Sequence, residues 1–168
     1  MIITLIVLLL LFITSISIYF FRLAFVRGST FDITTTKLSN KSKLKKSLEE
    51  LEENLKYINS QKSIWLYIQS KDGITLAGRF FKNMESHQIA ILFHGYRSIA
   101  ENDFSVYFKW YFEHGYHVLL VDQRAHGKSE GKYITFGVKE REDCIKWCQY
   151  VSENFAFIDT IILGGMSM

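Results

Sequence analysis

Three short stretches of the chain are apolar without alternation: QIAILFHG (88–95), HVLLVD (117–122) and TIILGG (160–165). Such runs read as strands buried on both faces of a parallel sheet. Helical patterns separate them. Ser98-Ile99-Ala100-Glu101 has the form of a capping box. The helix it opens would carry Phe104, Tyr107, Phe108, Tyr111 and Phe112 and close at Gly115. A second helix is predicted over 138–155, with Cys144, Ile145, Cys148, Val151 and Phe155 on one side. Upstream, IWLYIQS (64–70) and ITLAGRFF (74–81) flank KDG (71–73), the pattern of an antiparallel hairpin. Strand, helix, strand, helix, strand predicts an α/β class domain with right-handed crossovers.

The first 21 residues, MIITLIVLLLLFITSISIYFF, carry no charge. That is the length a helix needs to cross a bilayer core. A cleaved signal peptide is the alternative. The apolar run exceeds the usual h-region, no Lys or Arg precedes it and no A-x-A-like site follows, so an uncleaved single span is expected over 1–22. Tyr19, Phe20, Phe21 and Arg22 suit an interfacial end. Arg22, Arg27, Lys37, Lys41, Lys43, Lys45 and Lys46 all lie on the C-terminal side, which places the rest of the chain in the cytoplasm by the positive-inside rule. Residues 23–59 read as a juxtamembrane linker and an amphipathic helix, with Leu44, Leu48, Leu51, Leu55 and Ile58 in steps of four and three. That helix is expected to dock on the domain that follows, 60–168.

Composition narrows the function classes. Hydrophobic residues make up 48% of the chain and aromatic residues 15%, enough for a sizeable core, and there is no proline. A net charge of +3, with no aromatic interleaving of the basic residues, argues against a nucleic-acid partner. Cys144 and Cys148 are four apart on a helix, awkward for a disulfide and too few for a metal site, so neither metal nor cofactor is expected.

Chemistry in such sheets gathers at the carboxyl ends of the strands. Three ends are visible: His94-Gly95-Tyr96, Asp122-Gln123-Arg124 and Gly165-Met166-Ser167. Ser167 stands in G-x-S directly after a buried strand, where a tight strand-to-helix turn lifts a nucleophile and small residues relieve crowding. Acyl transfer also needs two convergent amides for the oxyanion. Tyr96 N–H and Met168 N–H are the candidates, with Gly95 allowing close approach. His94 is read as bracing its loop. Gly127-Lys128-Ser129 is not a phosphate loop, because Asp122 occupies the position where that motif needs glycine. Asp122, Arg124 and His126 are read as knitting the loop beneath the site.

HGY, DQRAHGKSEG and GGMSM, in this order and spacing, resemble the α/β-hydrolase fold family. The middle stretch is similar to the D-x-R-G-x-G-x-S segment of bacterial serine aminopeptidase-like and lysophospholipase-like members, with Ala125 where glycine is usual. The resemblance covers about residues 60–168. It implies a membrane-anchored serine hydrolase that cleaves an ester, thioester or amide through an acyl-serine, with Ser167 as nucleophile, Tyr96 and Met168 as oxyanion donors, and no cofactor. Lipid-like esters are among the substrates that tethering suggests. A non-catalytic binding module on the same fold is the alternative.

In that family an acid and then a histidine follow the serine. Here the histidines at 87, 94, 114, 117 and 126 all precede Ser167. The expectation is therefore that these residues are the N-terminal portion of a longer hydrolase.

Overall fold

A computed structural model describes residues 2–28, 42–84 and 86–166 of the chain. Helix α1 (Ile2–Phe25) is largely apolar, with Arg22 in its last turn, and has no fully buried residue. Its length and composition suffice to cross a membrane. The hydroxyls of Thr14, Ser15 and Ser17 each donate to the carbonyl four residues earlier, at 2.8, 2.8 and 2.9 Å. These three hydroxyls are thus satisfied from within the helix, as a lipid environment would demand. The helix continues past Arg22 to Phe25, further than the pattern predicts. Lys37 and Lys41, which entered the orientation argument, lie outside the described residues.

Helix α2 (Ser42–Ser60) turns its charges outward, where Lys45–Glu49 and Lys46–Glu50 pair at 3.9 Å in full exposure and contribute little. Its other face holds it. Ile58 is buried among Phe81, Phe104 and Phe108, with Leu55 and Tyr57 packed beside it.

The sheet has five strands: β1 (Ile64–Gln69), β2 (Thr75–Phe81), β3 (Gln88–Phe93), β4 (His117–Asp122) and β5 (Thr160–Gly165). Their spatial order is β1-β2-β4-β3-β5. The first two form the antiparallel hairpin, β2 pairs antiparallel with β4, and β4, β3 and β5 run parallel. The two faces of the sheet explain the unbroken apolar runs. On β3, Ala90 and Leu92 enter one core with Phe81, Phe108, Val118 and Leu120. Ile89 and Ile91 enter the other with Phe80, Leu119, Val121 and Trp147. Helices α3 (Ala100–Asp103) and α4 (Ser105–Glu113) cover the first face, and α5 (Glu140–Asn154) covers the second.

Four details differ from the sequence reading. The capping box does not form: Ile99 is the N-cap without a side-chain bond, and Ser98 Oγ instead donates to Asp103 Oδ1 at 2.5 Å. With Asp103 drawn into the preceding loop, the helix breaks at Phe104 into α3 and α4. On α5 the buried face is Glu140, Asp143, Trp147 and Val151, while Ile145 is half exposed, because the indole outweighs the smaller side chain in choosing the face. Strand β5 is half exposed, since it pairs only with β3 at an edge of the described sheet. Helix α4 closes as the pattern predicts, with Gly115 at φ 84° and Tyr116 N–H returning to the Tyr111 carbonyl at 3.0 Å.

Candidate active site

The carboxyl end of β3 leads into His94, whose ring is fully buried. Gln123 N–H can only donate, and it meets His94 Nε2 at 3.0 Å, so the proton sits on Nδ1, which donates to the Gly95 carbonyl at 2.8 Å. The Gln123 side-chain amide returns to the His94 carbonyl. The ring therefore ties the β3 loop to the β4 loop. His126 does the same one step further. Its Nε2 accepts Arg97 N–H at 3.1 Å and its Nδ1 donates to the Arg124 carbonyl at 2.9 Å. The two imidazoles meet edge to face, 4.7 Å apart. Burial pushes both pKa values down, that of His126 to about 4 with help from neighbouring His94.

At the end of β4, one Asp122 carboxylate oxygen accepts Lys128 N–H at 2.8 Å. Burial holds this carboxyl above its usual range. Ser129 Oγ donates to the Asp122 carbonyl and accepts Ala77 N–H at 2.8 Å, joining the loop to β2. Gly127 is obligatory here: its φ is 46°, and a Cβ would overlap the Asp122 carboxylate. Arg124 points away, with Nε and Nη2 on Asp143 at 2.7 and 2.8 Å and two bonds of 3.1 Å to Asp72. Arg124, Lys139 and Ser70 together hold the Asp72 carboxyl far below its usual range. Burial opposes the charge on Arg124, but its hydrogen bonds to Asp143 and Asp72 outweigh it.

Three consecutive amides after His94 have different fates. Gly95 N–H donates to Asp103 Oδ2 at 2.7 Å, and Arg97 N–H is taken by His126. Between them, Tyr96 N–H meets no acceptor among the described residues. Asp103 thus holds the amide of Gly95 with one oxygen and the hydroxyl of Ser98 with the other. Strand β5 runs alongside: Gly165 is opposite Phe93, and Met166 N–H still donates to the Phe93 carbonyl at 3.0 Å. The next two residues, Ser167 and Met168, lie outside the described residues. Crowding on β5 falls at Gly164, where a Cβ would stand 2.7 Å from Leu92 Cδ2, whereas one on Gly165 would meet nothing within 4 Å. The structure thus brings Tyr96, His94, Gly95 and Gly165 to neighbouring strand ends, and keeps Asp122 and Arg124 one strand further off.

Sequence reasoning missed one participant. The end of α1 is bonded to these loops. Tyr96 Oη donates to the Ala24 carbonyl at 2.9 Å, and Arg97 donates to that of Leu23. These are terminal helix carbonyls that lack partners within the helix. Arg27 Nη1 and Nη2 reach the carbonyls of Ser129 and Gly127, each at 2.7 Å, and Arg27 N–H reaches that of Lys132 at 2.8 Å. The partners are some 70 to 100 residues apart, so no local pattern announces them. The only signal was the set of orphan carbonyls that any helix end presents.

No family model and no curated protein matches the sequence. Solved structures do. The esterase Pf2001 of Pyrococcus furiosus is 31% identical over 70% of this chain and 43% of its own, with a TM-score of 0.60. Est1E from Butyrivibrio proteoclasticus, solved with ferulic acid bound, is 25% identical over 61% of this chain and 42% of its own, with a TM-score of 0.54. The chain has the α/β-hydrolase fold. An α/β hydrolase from Penicillium sp. sh18, GrgF, is 24% identical with a TM-score of 0.54, over 62% of this chain and 37% of its own. The chain spans less than half the length of these structures.

An α/β-hydrolase serine needs a base. Both nitrogens of His94 and of His126 are engaged, as described. The other three histidines lie at the opposite edge of the sheet. His117 accepts Asn83 N–H and donates to Ser86, while His87 and His114 bond to the Phe157 and Trp110 carbonyls. Asp122 and His126 do not bond to each other and form no dyad. Among the described residues no group of three or more His, Cys, Asp or Glu side chains is placed to hold a metal. Cys144 and Cys148 are free thiols.

Proposed function

We propose that this protein is a serine hydrolase that cleaves an ester, thioester or amide through an acyl-serine. Ser167 is the nucleophile. Tyr96 N–H and Met168 N–H stabilise the oxyanion. One observation carries this reading. Between two engaged amides, the Tyr96 amide meets no acceptor among the described residues, and it lies beside β5, the strand that precedes Ser167 in the sequence. An amide with no acceptor among the described residues is available to a developing oxyanion.

In the reaction the Ser167 oxygen attacks the carbonyl carbon and loses its proton to a base. The carbonyl oxygen becomes anionic opposite Tyr96 N–H. Collapse expels the alcohol, thiol or amine, and water then releases the acid. The occupied or remote rings of the five histidines argue against any of them as that base. His94 and His126 are positioning residues that fix the loop around Tyr96, while Asp122 holds the β4 loop at Lys128 and Arg124 ties that loop to Asp143 and Asp72. Helix α1 anchors the protein in the membrane as a single span, with the hydrolase domain on the cytoplasmic side.

The test uses the natural polypeptide in its own membranes. A fluorophosphonate probe should label it, and Ser167→Ala should abolish the label. Labelling that persists in the variant refutes the assignment. A correctly folded wild type that never labels leaves the binding-module reading in its place.

A further inference from the structure

Apolar side chains spread from the end of α1 across the loops at the carboxyl edge of the sheet. Phe21 and Phe25 stack at 5.0 Å, Phe21 meets Tyr133 at 6.0 Å, Phe25 meets Phe136 at 5.2 Å, and Phe136 stacks on Tyr96 at 5.3 Å. All five rings remain more than a third exposed, and Val138 beside them is 67% exposed. With Ile74, Phe21, Phe25, Tyr133 and Val138 line a groove of about 500 Å³. Lys132 and Lys139 stand on its rim. A patch of this kind on a domain surrounded by water is a liability.

Its occupant follows from continuity. The patch is the direct extension of α1, a helix about 36 Å long by its rise per residue that touches the rest of the protein only at its C-terminal end among the described residues. Apolar surface on every side of such a helix is covered by lipid. The junction is also not a loose tether. Tyr96, Arg97 and Arg27 bond α1 and the residues just after it directly to the domain, so the helix fixes which face meets the bilayer. Phe and Tyr rings ringed by Lys and Arg are the composition of a lipid–water boundary. These contacts also speak against a cleaved leader, because removing α1 would strip the partners from Tyr96 and Arg97.

We propose that the face formed by Tyr96, Tyr133, Phe136 and Val138 lies in the lipid–water interface. The reaction centre then opens at the bilayer surface, and its substrate is an ester carried by a membrane amphiphile. The substrate half of this rests on the serine-hydrolase reading; the placement does not.

The experiment reconstitutes the natural polypeptide, with Cys144→Ser and Cys148→Ser, in phosphatidylcholine–phosphatidylglycerol vesicles containing nitroxide lipid. One fluorophore is placed at Val138→Cys and, separately, at Glu153→Cys, an exposed position at the far end of α5. Burial of the face by several ångströms should quench the first probe on the order of fivefold more than the second. Equal quenching overturns the placement. A long-chain diacyl ester in the same vesicles should be cleaved roughly tenfold faster than a soluble acetyl ester, given the proximity of the site to lipid; equal or reversed rates overturn the substrate class. Labelling of Ser167 with an unquenched Val138 probe would refute this inference alone. Quenching without labelling would refute the hydrolase reading alone and uphold the placement.

Discussion

At the amino ends of β3 and β4 the chain turns by ordinary means. Helix α4 stops on a glycine with φ 84°, and His117 bonds to Asn83 and Ser86 in the connecting segment. At the carboxyl ends the same strands run into a different kind of structure. Arg97, Ala125 and Phe136 hold left-handed φ values of 56°, 62° and 47°, and they are the non-glycine residues that do so among the described residues. Two buried neutral histidines, a buried aspartate and an arginine shared by two carboxylates fill the space between. Strained backbone and buried polar groups each destabilise unless their surroundings fix them. Their concentration at one edge marks the part of the sheet where Tyr96 N–H meets no acceptor among the described residues, as opposed to the part that only completes the fold.

The largest blow to this contrast should come from Arg124→Leu. Asp143 is buried beneath the guanidinium, and removing the cation leaves its charge uncompensated. The expected loss is about 3–5 kcal/mol, read from urea unfolding. The half-exposed pair Lys109–Glu113, at 3.9 Å on α4, should lose less than about 1 kcal/mol on Lys109→Met. Equal losses would mean that the two edges are not different after all.

Acid should come next. His126 falls from an ordinary 6.5 to about 4 in the folded protein. Between those values the unfolded chain binds a proton that the folded one refuses. The stabilisation is therefore complete above pH 6.5, falls as pH drops through the window and levels off near pH 4. It amounts to about 3 kcal/mol at roughly 1.4 kcal/mol per pH unit. His94 shifts in the same direction. Asp122 shifts upward from its ordinary 3.8 and acts with the opposite sign from that pH upward. His126→Gln should flatten the curve of unfolding free energy against pH; superimposable curves would show that the neutral ring is not what joins Arg97 to Arg124.

The elements that build the sheet were legible because their information is local. The apolar runs of β3 and β4 announce burial on both faces, and Asp72-Gly73 announces the hairpin. The loops at the carboxyl edge were legible as a set of residues but not as a geometry. Nothing near Asp103 says that it will hold Gly95 N–H and draw Ser98 out of the capping box. Nothing in the pattern of α5 says that Trp147 will displace Ile145 from the core. The docking of α1 on Tyr96 and Arg97 had no sequence signature, because a hydrogen bond to a carbonyl does not depend on which residue owns it.

The smallest effect gives the finest test. Gly115 and Ala125 occupy left-handed backbone at opposite edges of the sheet, φ 84° and 62°, one with the favoured residue and one without. A side chain at 115 would meet nothing within 4 Å, so Gly115→Ala should cost only the dihedral, about 1–2 kcal/mol. Ala125→Gly should recover a similar amount, offset by the freer unfolded chain, about 0.4–1 kcal/mol, and by the loss of a buried methyl worth about 0.8 kcal/mol. The net change in unfolding free energy should therefore lie within about 1 kcal/mol of zero. A loss at 125 larger than the loss at 115 would mean that the methyl governs this position. The carboxyl-edge loop would then be held by packing, like the rest of the core, and its left-handed residues would carry no special meaning.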